Sequence, residues 1–145
     1  MTLQDDLWFP TDQCLIGGDW HAPLSGEHID LTDPSDGSHL CQVARGKADD
    51  IDAAVMAAHT SLDGEWGAMT AAERGRILTR IGQLVLTRVD ALARLESRDV
   101  GKPLTQARND AIALARYMEF YGGAADKVHG QTIPFQQGYT VYTLR

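Results

Sequence analysis

The sequence predicts a mixed α/β fold in which short antiparallel strands are followed by three helices. Two observations carry that expectation. Apolar residues alternate with polar ones up to about Arg45, as in a half-buried strand, and from Ile51 onward they recur about every 3.6 residues, as in a helix packed on one face. At 145 residues, 43% hydrophobic and 23% charged, the chain has the composition of one soluble globular domain able to bury a core without staples.

Residues 1–13 mix charge with Trp8, Phe9 and Pro10 and show no period, which predicts an irregular arm packing through its aromatics. From Cys14 to Trp20 a short apolar run meets Gly17 and Gly18, which read as a turn and not as a phosphate cradle, because no helix start follows them. A second extended run begins at His28, where Ile29 and Leu31 alternate with polar neighbours. Asp33-Pro34-Ser35-Asp36-Gly37 then supplies proline and glycine at turn spacing, and alternation resumes through Leu40, Cys41, Gln42 and Val43. Three short strands are expected, the last two a hairpin.

Ile51, Val55, Ala58 and Leu62 recur at helical spacing behind Asp49, Asp50 and Asp52, whose carboxylates suit the positive end of a helix. Lys47 supplies no side-chain cap there, and Gly64 ends the helix. Thr70-Ala71-Ala72-Glu73 has capping-box spacing and opens one long apolar stripe: Ile77, Ile81, Leu84, Val85, Val89, Leu92 and Leu95. Gly75 and Gly82 lie seven apart on one face of it, tolerable where another backbone passes close by. This helix is expected to end near Asp99, because Gly101 can take the left-handed conformation and Pro103 cannot continue the turn. A third helix runs from about Leu104 to Lys127 with Ile112, Ala115, Met118, Phe120 and Tyr121 as its apolar content. A loop with Pro134 follows, then the β-rich run from Tyr139 to Arg145, a proline-free edge expected to lack a partner in this chain.

Composition excludes several classes of function. Thirteen Lys and Arg against 20 Asp and Glu give a formal charge of −7, the wrong sign for phosphate backbones. No window has the roughly 18 consecutive apolar residues of a membrane span, and the acidic start is wrong for a signal peptide. Cys14 and Cys41 form neither a disulfide framework nor a zinc set, so a reducing, cytoplasmic compartment is expected.

No motif for a reaction is present: no GxGxxG, P-loop or HExxH occurs, and the five histidines lack metal-ligand spacing. His21, His28 and His39 fall at exposed edge positions of the strand region. Cys14 and Cys41 sit in strands with aliphatic neighbours and read as buried small hydrophobes rather than nucleophiles. Asp49 and Asp50 read as solvated charges at a helix start, without a catalytic role. Tyr117, Phe120 and Tyr121 fall close together on the third helix, where packing outranks ligand stacking. Asp99 alone has a physical case for binding, since the last carbonyls of its helix lack partners and oxygen ligands around a carboxylate attract a hard cation. A solvated aspartate is the other reading of that residue.

Four patches in this order and spacing resemble the amino-terminal segment of the NAD(P)-dependent aldehyde dehydrogenase superfamily, from about Leu15 to Arg145. They are Ile16-Gly17-Gly18-Asp19-Trp20; Asp33-Pro34-Ser35-Asp36-Gly37, where the family usually has Asn before Pro; Leu95-Glu96 through Asp99, Gly101, Lys102 and Pro103; and Tyr121 with Ala125-Asp126, His129-Gly130 and Ile133-Pro134.

The resemblance implies part of a much larger α/β enzyme that oxidises aldehydes to carboxylic acids through a thiohemiacetal on cysteine, with NAD or NADP as cofactor. It assigns residues 14–134 to the amino-terminal part of the cofactor-binding domain, packed on a dinucleotide-binding sheet that this sequence lacks, and 135–145 to the start of an oligomerisation strand. The glycine motif, the glutamate base and the cysteine nucleophile come later in the family, so no catalytic or cofactor-binding residue is expected here and this chain alone is expected to be inactive. It further implies a monovalent cation, potassium or sodium, held by Asp99 with backbone carbonyls matching Leu31 and Thr32. Homo-oligomers through 138–145 and exposed helix faces are implied, with no nucleic-acid or membrane partner and an aldehyde substrate only in a full-length enzyme. A self-associating interaction module, or a truncated gene product without activity, is the other functional class to weigh.

Overall fold

The computed structural model describes residues 7–144, so the expectation of an irregular arm over 1–13 lies in part, at residues 1–6, outside the described residues. The mixed α/β class is found. Among the described residues four strands precede the first helix, one more than expected, because Gly17 and Gly18 take φ of 64° and 98° and fold the run from Cys14 back on itself. The resulting hairpin pairs β1 (Cys14–Ile16) with β2 (Asp19–His21) antiparallel, Leu15 opposite Trp20. Residues 7–12 run irregularly beside it, with the Phe9 ring stacked on Trp20 at 6.3 Å.

The expected hairpin pairs β3 (His28–Thr32) with β4 (His39–Ala44), Leu31 opposite Cys41, with a bulge between Leu31 and Thr32. Its connection is built by aspartates. Asp33 Oδ1 accepts the Ser35 N–H and Asp36 Oδ1 the Ser38 N–H, each at 2.9 Å, and Gly37 closes the turn at φ 74°. The Asp in place of Asn at position 33 keeps the side-chain acceptor this turn needs and adds a charge, which pairs with Arg98 at 3.7 Å.

Five helices follow: α1 (Ala48–Leu62), α2 (Glu65–Ala68), α3 (Ala71–Leu86), α4 (Val89–Val100) and α5 (Leu104–Ala124). At the start of α1 the expectation for Asp50 fails, since it is buried, 5% exposed. Its carboxylate accepts the Lys47 N–H at the helix start and the Leu24 N–H across the loop, both at 3.0 Å, so it supplies from inside the helix the bond that Lys47 cannot. Those two backbone donors hold its carboxyl below the usual aspartate range. The stripe expected to face a core, Ile51, Val55 and Leu62, is exposed instead, and the half-buried side of α1 is formed by Ala54 and Ala57.

The long second helix divides into α3 and α4 at Thr87–Arg88. The Thr87 hydroxyl donates back to the Leu84 carbonyl at 2.7 Å, and Arg88 leaves the helical region at φ −125°, ψ 16°. The stripe continues across the break, so Val89 is buried at the start of α4. Both flanking signals are found. Thr70 Oγ1 accepts the Glu73 N–H at 3.2 Å and Glu73 Oε2 the Thr70 N–H at 2.7 Å, while Gly101 caps α4 in the left-handed conformation at φ 70°.

The core lies between α3, α4 and α5 and is made of small residues. Ala93, Ala107, Ala111 and Ala115 are buried, as are Gly75 and Gly82, while Phe120 and Tyr121 at 67% and 61% exposure lie outside it. A Cβ at Gly82 would sit 2.8 Å from the Ala115 carbonyl oxygen, and one at Gly122 would sit 2.6 Å from that of Gly75. The backbones of α3 and α5 therefore touch at two levels, which explains glycines in the interiors of these helices. Finally, β5 (Thr132–Ile133) pairs antiparallel with β6 (Val141–Tyr142). The run from Tyr139 thus has a strand partner inside the chain, contrary to expectation, because the segment around Pro134 is extended before the proline rather than looped throughout.

Candidate functional site

The last turn of α4 meets the β3–β4 hairpin, and this junction is the candidate site. Arg98 pairs with Asp33 across it, and the Gly101 backbone passes close to the Pro34 ring, where a Cβ would lie 3.1 Å from Cγ. Asp99 and Leu31 are thereby brought to one cavity of about 270 Å³, together with Leu40, Cys41, Val43 and Leu95. Thr32 follows Leu31 on the strand but does not line the cavity. Three arm residues complete its wall, Leu7, Phe9 and Thr11.

Two carboxylates line the cavity, Glu96 and Asp99, and Asp99 stands at the carboxyl end of α4, where the helix carbonyls carry partial negative charge. Beside it the strand register shifts, Leu31 facing Cys41 and Thr32 facing His39, so that Leu40 is the extra residue on β4. No group of three or more His, Cys, Asp or Glu side chains converges among the described residues, so the donors resemble neither a zinc nor a calcium set. The neighbouring acid, Glu96, is occupied by Lys102, which also bonds Asp110 at 2.5 Å and ties α4 to α5. Those two carboxylates, Asp110 first, hold the Lys102 ammonium above its ordinary range.

The cysteines are half-buried and unbridged, more open than the buried small hydrophobes expected. Cys41 lines the Asp99 cavity and, with His39, a neighbouring one of about 570 Å³, but no hydrogen bond joins His39 to Cys41 among the described residues. Cys14 lies elsewhere, against Gly46. His21, His28 and His39 are exposed, and among the described residues only the His28 ring of the three has a hydrogen-bond partner, the Asp12 carbonyl at 3.3 Å. Tyr117, Phe120 and Tyr121 present their rings to solvent. Sequence reasoning missed the arm as part of the cavity wall, because residues 7–11 carry no period; the Lys102 network had a signal in the spacing of Glu96, Lys102 and Asp110 around the α4–α5 corner. No helix among the described residues is long and apolar enough to cross a membrane.

Residues 20–145 match the model of the aldehyde dehydrogenase family. The Arabidopsis thaliana protein named aldehyde dehydrogenase family 2 member B4, mitochondrial, is 43% identical over 134 residues, which cover 91% of this chain and 25% of that protein. An aldehyde dehydrogenase homologue from Burkholderia cenocepacia superposes with a TM-score of 0.86 at 55% identity, over 90% of this chain and 28% of that one. The NAD+ complex of aldehyde dehydrogenase from Bacillus cereus superposes with a TM-score of 0.86 at 32% identity, over 92% of this chain and 28% of that one. The chain therefore spans about a quarter of the length of these relatives.

Proposed function

Because the chain belongs to the aldehyde dehydrogenase family, we propose that it provides the amino-terminal portion of an NAD(P)-dependent enzyme that oxidises an aldehyde to a carboxylic acid, and that these 145 residues alone do not catalyse the reaction. The family match over residues 20–145, set against coverage of only 25% of the plant relative and 28% of the Burkholderia one, carries this reading. The nicotinamide supplies the hydride acceptor in such an enzyme; the residues of this chain supply scaffold around it. In support, neither Cys14 nor Cys41 has a base hydrogen-bonded to it among the described residues, and the described residues contain no glycine-rich phosphate loop opening a helix. Titration calorimetry with NAD and with NADP tests the reading: no saturable heat is expected from this chain, and a saturable one-to-one isotherm overturns it.

Asp99 is proposed to hold a potassium or sodium ion, with carbonyls of Leu31 and Thr32 as further ligands. Its place with Leu31 in one cavity supports this. Potassium chloride is expected to raise the melting temperature above that in choline chloride of equal ionic strength, and Asp99→Asn to remove the difference. An equal response in the variant contradicts the assignment.

A second reading, self-association, is favoured by the exposed stripe of α1, with Ile51 58% and Leu62 59% exposed, and by the aromatic face of α5. Homo-oligomers through these faces and through 138–145 are part of the proposal, as is a cytoplasmic location. Light scattering is expected to show a dimer or larger species, and a monodisperse monomer at high concentration rules this reading out.

A further inference from the structure

The cavity that holds Asp99 and Cys41 is walled on one side by the arm, through Leu7, Phe9 and Thr11. The same arm residues, with Asp12, line the adjoining cavity beside His39 and Cys41. Among the described residues the arm is held mainly at two ends. The Trp8 ring lies under the Arg88 guanidinium, 5.0 Å from its centroid, and meets Phe9 edge-to-face at 5.5 Å; Phe9 stacks on Trp20. Two polar contacts anchor the far end: the Ala44 N–H donates to the Thr11 carbonyl at 3.0 Å, and His28 Nε2 meets the Asp12 carbonyl at 3.3 Å. Trp8 and Phe9 themselves remain 45% and 38% exposed.

A segment held by half-exposed rings and a handful of bonds opens at far lower cost than the helical core it leans on. We propose that residues 7–12 form a releasable strap over this cavity, hooked by Trp8 to Arg88 and by Phe9 to Trp20, and that opening the strap widens the access of solute to the half-buried Cys41 and to Asp99. Arg88 is the residue at which α3 and α4 part, so the break that the apolar stripe does not require gives the arm its anchor.

Cys41 is the natural reporter, because it lines both cavities under the strap while Cys14 lines neither. The rate of alkylation by iodoacetamide is measured on the 145-residue chain carrying Cys14→Ser, which leaves Cys41, and carrying Cys41→Ser, which leaves Cys14. Trp8→Ala with Phe9→Ala is expected to raise the Cys41 rate about tenfold, the effect of removing two ring contacts of ordinary strength from a closing equilibrium. Arg88→Gln, which leaves the arm sequence intact, is expected to raise it about threefold and serves where the double variant fails to fold. The Cys14 rate stays within about a factor of two in both, as expected where only the arm opens. An unchanged Cys41 rate, or equal increases at Cys14 and Cys41, overturns the strap. This test does not use a cation, so it stands or falls separately from the potassium test of Asp99.

Discussion

Replacing Gly122 by alanine probes the contact on which the helical core depends. The added Cβ would lie 2.6 Å from the Gly75 carbonyl oxygen and 2.7 Å from Thr79 Oγ1. An ordinary carbon–oxygen contact is about 3.4 Å, so α3 and α5 must part by about 0.8 Å at this level. The nearest atom is backbone and cannot swing aside. Overpacking of this kind costs about 1–3 kcal/mol, and the better helix propensity of alanine returns up to about 1 kcal/mol. Taking the middle of each range, the net loss is about 1.5 kcal/mol, a fall of about 3–6 °C in the melting temperature of a domain this size. Gly123→Ala is the matched control, one residue along the same helix with nothing within 4 Å of the added atom; it is expected to be neutral or to stabilise by up to about 1 kcal/mol. Thermal unfolding followed by far-ultraviolet circular dichroism measures both. Gly122→Ala as stable as the parent, or no more damaging than Gly123→Ala, would refute the close backbone approach.

Further outcomes follow from the caps. Asp50 has a depressed folded pKa, so the stability it contributes is complete above the ordinary carboxyl value of 3.8 and is lost as the pH falls through the lower folded value. Asp50→Asn is therefore expected to melt below the parent at neutral pH, with the two curves converging below about pH 4; a gap independent of pH contradicts the assignment. Thr70→Ala removes the hydroxyl that caps α3 and is expected to cost about 1 kcal/mol in urea unfolding. A change below about 0.3 kcal/mol would show that the Glu73 carboxylate alone suffices at that end.

The sequence made the element types legible wherever period and punctuation agreed. Thr70 and Glu73, Gly101 and Pro103, and the aspartate turn at 33–37 each announce a local geometry through their own chemistry, and each is found. The division at Thr87–Arg88 was hidden because Val85, Val89 and Leu92 keep helical spacing straight through it, and hydrophobic period does not register a local backbone excursion. Asp50 was hidden among three nearby aspartates, since only the loop carrying Leu24 decides which of them turns inward. Large apolar side chains misled on the core of α5. The signal there was the run of small residues, Ala107, Ala111 and Ala115, four apart and buried, with the Ala115 carbonyl against Gly82 of α3. The exposed stripe of α1 shows the converse: its period is that of a packed helix, but no described element of this chain covers it. At the candidate site, Asp99 was legible from its place at a helix end and Leu31 through resemblance, whereas the arm that walls their cavity has no pattern to read.

Reduction of nicotinamide cofactor by the purified chain bears most directly on the central claim, that these residues form scaffold rather than reaction centre. With NAD or NADP and a panel of aldehydes, reduced cofactor is expected to accumulate no faster than in the protein-free blank. Turnover that disappears on Cys14→Ser or Cys41→Ser would contradict the account.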